Sequence, residues 1–468
     1  MLQPRAVEET SRRPALIVLY ASLALGAAIR LYVAFTDDGI FWPDETYQSL
    51  EPAHRVVFGY ALMPWEFLDG ARNWALPGFI ALLFKLAGDD PARYIGLTRV
   101  AFVVIGVASA YGAYLLAKGL GAKELPAAAG AACFSLGALP LYFGHRAMSE
   151  TASALPVVLG LWLVLRSDAT RRHLVIGASL LGLSVLLRLQ CGVFAAGAVL
   201  VLAARRQWRP TGEVFGVLLV WAVLFGLLDK LTWGSWFHSA QKYIEFNLVK
   251  GGGAAWGTHP WNHLVQHLFF SMKGLTLVFG LSLALCVQRA RGLALIAFAF
   301  FALHSVVPHK EIRFILTVLP LFAACAGVAL SFVPRGATVF VLAVALVSAL
   351  EARNLTWHEL GAYPERGEQK AWDDYGPFNR LLLAASKQPQ VCGVYIEGAH
   401  LAWVGGIAYL HHKAPLYMPG MAVPQRSINY AITAREGGEV VARDGNLKLV
   451  HLPVEPCTPD QNYSWRLP

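Results

Sequence analysis

Long apolar runs recur along this chain, from residues 15–34 to residues 336–351, and several approach the ~20 residues that carry an α-helix across a bilayer. Nothing else in the sequence limits the fold as much. Inside lipid every backbone N–H and C=O must find a partner within the chain, so repeated runs of that length mean helices. Composition agrees: 56% of the 468 residues are apolar and 15% charged, where a soluble domain carries about a quarter charged.

The first run, Ala15 to Ala34, follows Arg5, Arg12 and Arg13. No A-x-A-like cleavage site comes after it, so it reads as an uncleaved span and not as a signal peptide. Further spans are expected near 94–117, 124–143, 152–166, 173–187, 190–203, 213–232, 264–287, 292–307, 313–332 and 336–351. The expected fold class is an all-α polytopic membrane protein with about 11 transmembrane helices over residues 1–351, including a first outer loop at 35–93. From about residue 352 the composition turns polar. Strands at Val391–Ile396 and Leu447–Leu452, with a helix at His400–Leu410, predict a small C-terminal α/β extramembrane domain over 352–468.

The formal net charge is +9, but the basic residues form no single patch with interleaved aromatics, so a nucleic-acid partner is not expected. They fall instead in short loops. With the N-terminus cytosolic, Lys118, Lys123, Arg166, Arg171, Arg172, Arg205, Arg206, Arg209, Arg289, Arg291 and Arg335 all lie on the cytosolic side, as the positive-inside rule asks. The opposite face receives residues 35–73, the His145–Glu150 loop, Arg188, residues 233–262, Pro308–Arg313 and the C-terminal domain. The apolar stretch 74–88 is short and interrupted by Pro77 and Gly78, and counting it as a span would flip every later loop; it reads as an interfacial or re-entrant helix. Short loops and Ala/Leu/Arg-rich spans lean toward a bacterial plasma membrane over the endoplasmic reticulum. Cys133, Cys191, Cys286 and Cys325 read as apolar fillers, while Cys392 and Cys457 sit where a disulfide is permitted.

Just outside the first span stands Phe41-Trp42-Pro43-Asp44-Glu45-Thr46-Tyr47-Gln48-Ser49-Leu50-Glu51-Pro52-Ala53-His54. Adjacent carboxylates at a membrane edge lose hydration and repel each other, and both effects make a better base. The structural alternative is a helix start, with Pro43 in the first turn and Asp44 and Glu45 favouring the dipole. Arg188 at a span end is either snorkelling or in a site, and Arg146 with Glu150 is either a helix-surface ion pair or part of one. Asp37, Asp38, Asp44 and Glu45 together are a conceivable seat for a hard cation, but the cationic motif at 309–313 makes a metal redundant, and none is expected.

Residues 42–79 resemble the first outer loop of the mannosyltransferases of glycosyltransferase family 22, matching at Pro43, Asp44, Glu45, Gln48, Glu51, Ala53, His54, Phe58, Gly59, Tyr60, Trp65, Glu66, Arg72 and Pro77. The chain departs from the pattern at Trp42, where His is usual, and at Asn73. Pro308-His309-Lys310-Glu311-Ile312-Arg313-Phe314 resembles the family's His-Lys-Glu-x-Arg-Phe motif, and Phe246-Asn247 with Trp256-Gly257-Thr258-His259-Pro260-Trp261 resembles its long outer loop. All three motifs fall on the face that charge alone assigned outside.

The resemblance implies a GT-C fold, a polyprenyl-phosphate-linked sugar (typically mannose) as donor, a glycan or glycolipid acceptor, and transfer with inversion. It implies Asp44 as base with Glu45 as second choice or positioner, and His309, Lys310, Arg313 and Arg188 around the donor phosphate. Gln48, Glu51, His54, Trp65, Glu66, Arg72, Asn247, His259 and Glu311 become the expected substrate-binding residues. No cofactor is expected, the lipid-linked sugar being a substrate; membrane lipids are the remaining partners. Two alternatives stay open: a transporter or flippase of lipid-linked sugars, and a glycan ligase or polymerase using a lipid-pyrophosphate donor. Paired or inverted repeats, the usual mark of a transporter, are not visible in the sequence.

Overall fold

A helix of 33 residues, Pro4–Thr36, opens the fold, long enough at 1.5 Å per residue to outreach a hydrocarbon core of about 30 Å. The structure, a computed structural model, describes residues 4–454 and 456–468, with the side chains of residues 4–12 and of Pro364 left aside. The side chains of Arg5 and Arg12, which precede the first apolar run, thus lie outside the described part. Among the described residues five segments are long and apolar enough to cross a membrane: Arg13–Thr36, Pro91–Gly119, Trp208–Trp233, Ile312–Leu330 and Arg335–Ala352. Shorter apolar helices include Ser149–Leu165, Leu189–Ala204, Gly274–Arg289 and Arg291–Val306, and every expected span is met by helix. Ala75–Ala87 has 13 residues, about 20 Å, too short to span.

Two expected spans are broken, each for a local reason. The run 124–143 divides into Glu124–Ser135 and Ala138–Tyr142. Pro140 has no N–H to continue the ladder, and the Arg30 guanidinium takes the carbonyls of Ser135 at 2.8 Å, Phe134 at 3.4 Å and Pro140 at 3.2 Å. Gly144 makes room for it, since a Cβ there would lie 2.6 Å from Arg30 Nε. The run 264–287 breaks at Lys273, whose φ of 48° ends His263–Met272 and starts Gly274–Arg289; its ammonium meets Glu351 at 2.6 Å.

Packing divides the chain into two compact units whose bounds differ from a division at residue 351. A helical unit comprises Met1–Tyr32, Phe102–His145 and Ser149–Lys370; a mixed unit comprises Val33–Ala101, Arg146–Met148 and Ala371–Pro468. Residues 352–370 belong to the helical unit, where Trp357 is fully buried and Thr356 caps a short helix.

In the mixed unit the first outer loop and the C-terminal region build one core. Its sheet contains β1 (Val394–Ile396), β2 (Leu416–Tyr417), β3 (Tyr430–Thr433), β4 (Glu439–Asp444) and β5 (Leu447–His451), in spatial order β2-β1-β3-β5-β4. β1 runs parallel to β2 and β3, and the last three strands are antiparallel. The helix Gly376–Ala385 packs on β3, β4 and β5. The helix expected over 400–410 is a turn at Leu401–Trp403 and a helix at Gly406–Leu410. Its interruption is forced at Gly406, which has φ +63° and stands so close to Glu51 that a Cβ would lie 2.4 Å from the carboxylate. A disulfide joins Cys392 and Cys457, while Cys133, Cys191, Cys286 and Cys325 are free and buried. The last residues pair with the outer loop through Met63 N–H to Trp465 O and Leu467 N–H to Met63 O, both 3.0 Å.

Candidate active site

Pro43 starts a short helical turn, Pro43–Glu45, behind an extended Trp42, so the helix-start signal in the sequence is real and coexists with the carboxylate pair. The loop before it is held from several sides. Arg146 Nη1 donates to Gly39 O and Glu45 Oε2, both at 2.9 Å, and Nη2 donates to Asp37 Oδ2 at 2.6 Å. Glu45 Oε2 also accepts from Phe41 N at 3.3 Å. Asp37 Oδ1 accepts from Gly39 N at 3.0 Å and Asp373 N at 2.8 Å. Asp38 takes Arg99 at 2.8 Å and Arg380 at 3.3 Å, and its carbonyl accepts from Asn379 Nδ2 at 2.6 Å. The helix that carries Glu150 starts at Ser149, so Arg146 lies outside it, and its guanidinium binds Asp37 and Glu45.

The remaining motif residues of this unit separate by burial. Asp44 is half-buried. Gln48 Nε2 donates to Glu66 Oε1 at 2.8 Å. Glu66 is pushed up to about 7, first by burial and then by the negative charge of Asp44, with Arg72 and Gln48 opposing; Asp44, Glu66 and Arg72 therefore share one electrostatic neighbourhood. Trp65 is half-buried at the head of the short helix carrying Glu66. Trp42, the departure from the family pattern, sets its ring edge-on to Trp403 with centroids 5.4 Å apart.

Glu51 and His54 are fully buried. The Glu51 carboxylate accepts from Leu62 N at 2.6 Å and Ala408 N at 2.7 Å, and burial raises it to about 8 against those bonds. His54 Nδ1 faces Tyr60 O at 2.8 Å and must donate to it, so its Nε2 accepts and His411 Nδ1, 3.0 Å away, donates. Burial holds His54 down to about 4, against the Tyr60 carbonyl and with some help from His411. These two side chains tie the outer loop to Gly406–Leu410 and His411, and offer no surface to a sugar.

In the helical unit the second motif is a compact charge cluster. Glu150 Oε1 meets Arg188 Nη1 at 2.6 Å and Arg313 Nη1 at 3.4 Å. Arg313 also forks onto Glu311, Nε to Oε2 at 2.7 Å and Nη2 to Oε1 at 3.1 Å. His309 has both ring nitrogens on acceptors, Gly257 O and Glu311 Oε1, each at 3.0 Å, which the doubly protonated ring satisfies. Burial opposes that charge, but Glu311 and the Gly257 carbonyl outweigh it and lift His309 above an ordinary imidazole. Glu311 is likewise held down to about 2, its burial overcome by Arg313 and His309. Lys310 is buried and donates to His259 O at 2.6 Å and Pro308 O at 3.4 Å. Three permanent cations (Arg188, Lys310, Arg313) thus stand with two carboxylates (Glu150, Glu311), and His309 adds a further positive charge when protonated.

Around this cluster, the His259 ring stacks on His263 with centroids 3.9 Å apart, and His263 meets His267 at a tilt, with centroids 4.3 Å apart. Asn247 Nδ2 donates to Tyr243 O at 3.0 Å. Trp261 is 73% exposed. Sequence reasoning passed over Arg30, Arg99, Asp373, Asn379, Arg380 and His411; only a charge standing within or beside an apolar run marked Arg30 and Arg99, and nothing marked the rest.

The sequence profile of the Alg9-like mannosyltransferase family matches residues 22–362. GPI mannosyltransferase 3 of Yarrowia lipolytica is 30% identical, over 72% of this chain and 67% of its own length. Mannosyltransferase APTG1 of Arabidopsis thaliana is 27% identical over 64% and 57%, and human GPI alpha-1,2-mannosyltransferase 3 is 25% identical over 65% and 56%. The chain spans between about half and two thirds of the length of these relatives. Among solved structures, apo ArnT from Cupriavidus metallidurans aligns at a TM-score of 0.61 over 96% of this chain and 100% of its own, with 15% identity. ArnT bound to undecaprenyl phosphate gives 0.58 over 94% and 99%, at 16% identity. Archaeoglobus fulgidus AglB, in complex with an inhibitory peptide and a dolichol-phosphate, gives 0.51 over 88% and 69%, at 14% identity. At such identities these structures establish a common GT-C fold.

Proposed function

The chain belongs to the Alg9-like mannosyltransferase family, and for this multi-pass membrane protein of GT-C fold we propose transfer of a mannosyl group from a polyprenyl-phosphate donor to a hydroxyl of a glycan or glycolipid, with inversion. The observation that carries the reading is the pair of motif clusters: a carboxylate loop at 37–45, and a cluster in which cationic side chains outnumber carboxylates. The first suits a hydroxyl that must lose a proton, the second a phosphate that must leave. Solved relatives of the fold hold undecaprenyl phosphate and dolichol-phosphate, which supports a donor of that class.

In this mechanism Asp44 accepts the acceptor's hydroxyl proton as that oxygen attacks the anomeric carbon from the face opposite the phosphate. The bond from that carbon to the phosphate oxygen breaks, and its electron pair leaves on the lipid phosphate. Asp37, Asp38 and Glu45 are each engaged by an arginine, and half-buried Asp44 stands beside Glu66 in the same motif, the position assigned here to the base. Lys310 and His309, with Arg188 and Arg313 aligned by the two glutamates, stabilise the phosphate as its charge grows. Gln48, Glu66, Arg72 and Trp65 are assigned to sugar binding, with Asn247 and His259 as candidates in the long loop. The reaction needs no divalent metal, side-chain cations taking its place. The positive-inside distribution supports active-site motifs and C-terminus on the non-cytosolic side of the membrane, which cysteine labelling in intact cells tests.

The deciding experiment is transfer by the reconstituted full chain from polyprenyl-phosphate mannose to a panel of glycan and glycolipid acceptors. Asp44→Asn is expected to lose about a hundredfold to ten-thousandfold in rate with unchanged expression and melting. Full activity of that variant removes Asp44 as the base, and movement of the lipid-linked sugar across vesicles without bond cleavage favours a flippase.

A further inference from the structure

Arg146 lies 101 residues from Glu45 and 109 from Asp37 in the chain, yet its guanidinium is fully buried among them. It belongs, with Ala147 and Met148, to a three-residue insertion into the mixed unit. Three of its acceptors, the Asp37 carboxylate, the Gly39 carbonyl and the Glu45 carboxylate, sit on one nine-residue loop. They fix the loop near its start, at its bend and at its end, and Asp44 is the residue next to the last of them. A second frame supports the first: Asp373 N holds Asp37, Asp373 Oδ1 accepts from Asp38 N at 3.1 Å, and Asn379 and Arg380 hold Asp38.

We infer that Arg146 is a positioning residue of the transfer reaction, which binds Glu45 and so sets where the Asp44 carboxylate stands. The inference rests on the reading of Asp44 as the base. A planar fork delivers bonds in fixed directions, so Arg146 fixes an orientation as well as a distance. Lysine carries the same charge but no fork. A buried arginine serving stability alone has no need to place three bonds on the loop that bears the catalytic carboxylate. Misplacement by about 1 Å is enough to cost a hundredfold in rate.

The test uses the full chain in lipid nanodiscs with polyprenyl-phosphate mannose. Arg146→Lys is expected to keep the melting temperature within a few degrees and the donor KM within about twofold, while kcat falls by about a hundredfold. Arg146→Ala is expected to lose at least as much kcat and to regain part of it on adding methylguanidinium, which re-enters the vacated space. Wild-type kcat in Arg146→Lys overturns the inference. So does a loss in Arg146→Ala that tracks the folded fraction and does not respond to methylguanidinium. Should Arg146→Ala fail to fold, the Lys variant alone decides. The two levels of argument fail differently: an inactive Asp44→Asn beside a fully active Arg146→Lys sinks only the positioning role, whereas an active Asp44→Asn sinks the assignment of the base.

Discussion

The two motif clusters use the same side chains in opposite ways. In the mixed unit acidic residues outnumber what they surround, and Arg146, Arg99 and Arg380 serve the carboxylates, fixing a loop. In the helical unit the order is reversed: Glu150 and Glu311 serve the arginines, each carboxylate meeting Arg313 and a further cation. One arrangement turns arginine into scaffolding for an acid; the other turns glutamate into scaffolding for a cation. Lys310 is the exception in the second cluster, since its ammonium is held by carbonyls. A carbonyl orients an ammonium without cancelling its charge, so that charge remains for an incoming anion.

Removing a scaffold from the cationic cluster is the hardest test of this contrast. Glu150→Gln leaves two buried arginines facing each other, and its cost is expected at about 3–5 kcal/mol of stability, read as a large drop in melting temperature. A small drop would mean that Glu150 does not order the pair. Lys310→Met tests the working charge. Its removal is expected to lower transfer by about a hundredfold to a thousandfold with little change in melting, and an unaltered rate would assign the phosphate to the other cations.

Acidification separates the clusters more gently. Glu311 sits below its unfolded value, so the stability it contributes is full above about pH 4.5 and drains as pH falls toward 2. His309 sits above its own, so its share is full below about pH 6.5 and is lost as pH rises through the raised value. Between those limits both contributions stand. Glu311→Gln is therefore expected to melt below wild type at pH 5 to 6, with the gap narrowing toward pH 3; a constant gap would contradict the ion pairing. The smallest effect is expected from EDTA, which should leave transfer within about twofold, because the side-chain cations already meet the need of the phosphate. A steep loss restored by magnesium or manganese would return the carboxylate loop to consideration as a metal seat.

Much of this was legible beforehand where the signal is local. Apolar runs announce helices, and the tripeptide Pro43-Asp44-Glu45 announces both a helix start and a carboxylate pair. The break at Lys273 is invisible, because it depends on a backbone angle, and the break after Ser135 is marked only by Pro140, since it also depends on Arg30 reaching carbonyls more than a hundred residues away. Strands β2 and β3 escape for other reasons: two residues carry no alternation, and Tyr430–Thr433 is buried on both faces. Glu51 and His54 share a motif with Asp44, and a motif cannot say which of its polar residues turn inward. Burial decides that, and it depends on Leu62, Ala408 and His411.

The composition of the mixed unit also sets an order of events during synthesis. Its first segment ends at Ala101 and its last begins at Ala371, and Asp37 on the loop bearing Asp44 precedes Asp373 by 336 residues, with Asn379 and Arg380 following later still. At roughly 5–20 residues per second the interval is on the order of tens of seconds. Throughout that time Glu51 lacks the Ala408 amide and Asp38 lacks Asp373, Asn379 and Arg380. The nascent protein is inserted long before the mixed unit is complete, and a ribosome stalled after the last span would leave a chain threaded through the membrane with residues 37–45 lacking part of their frame.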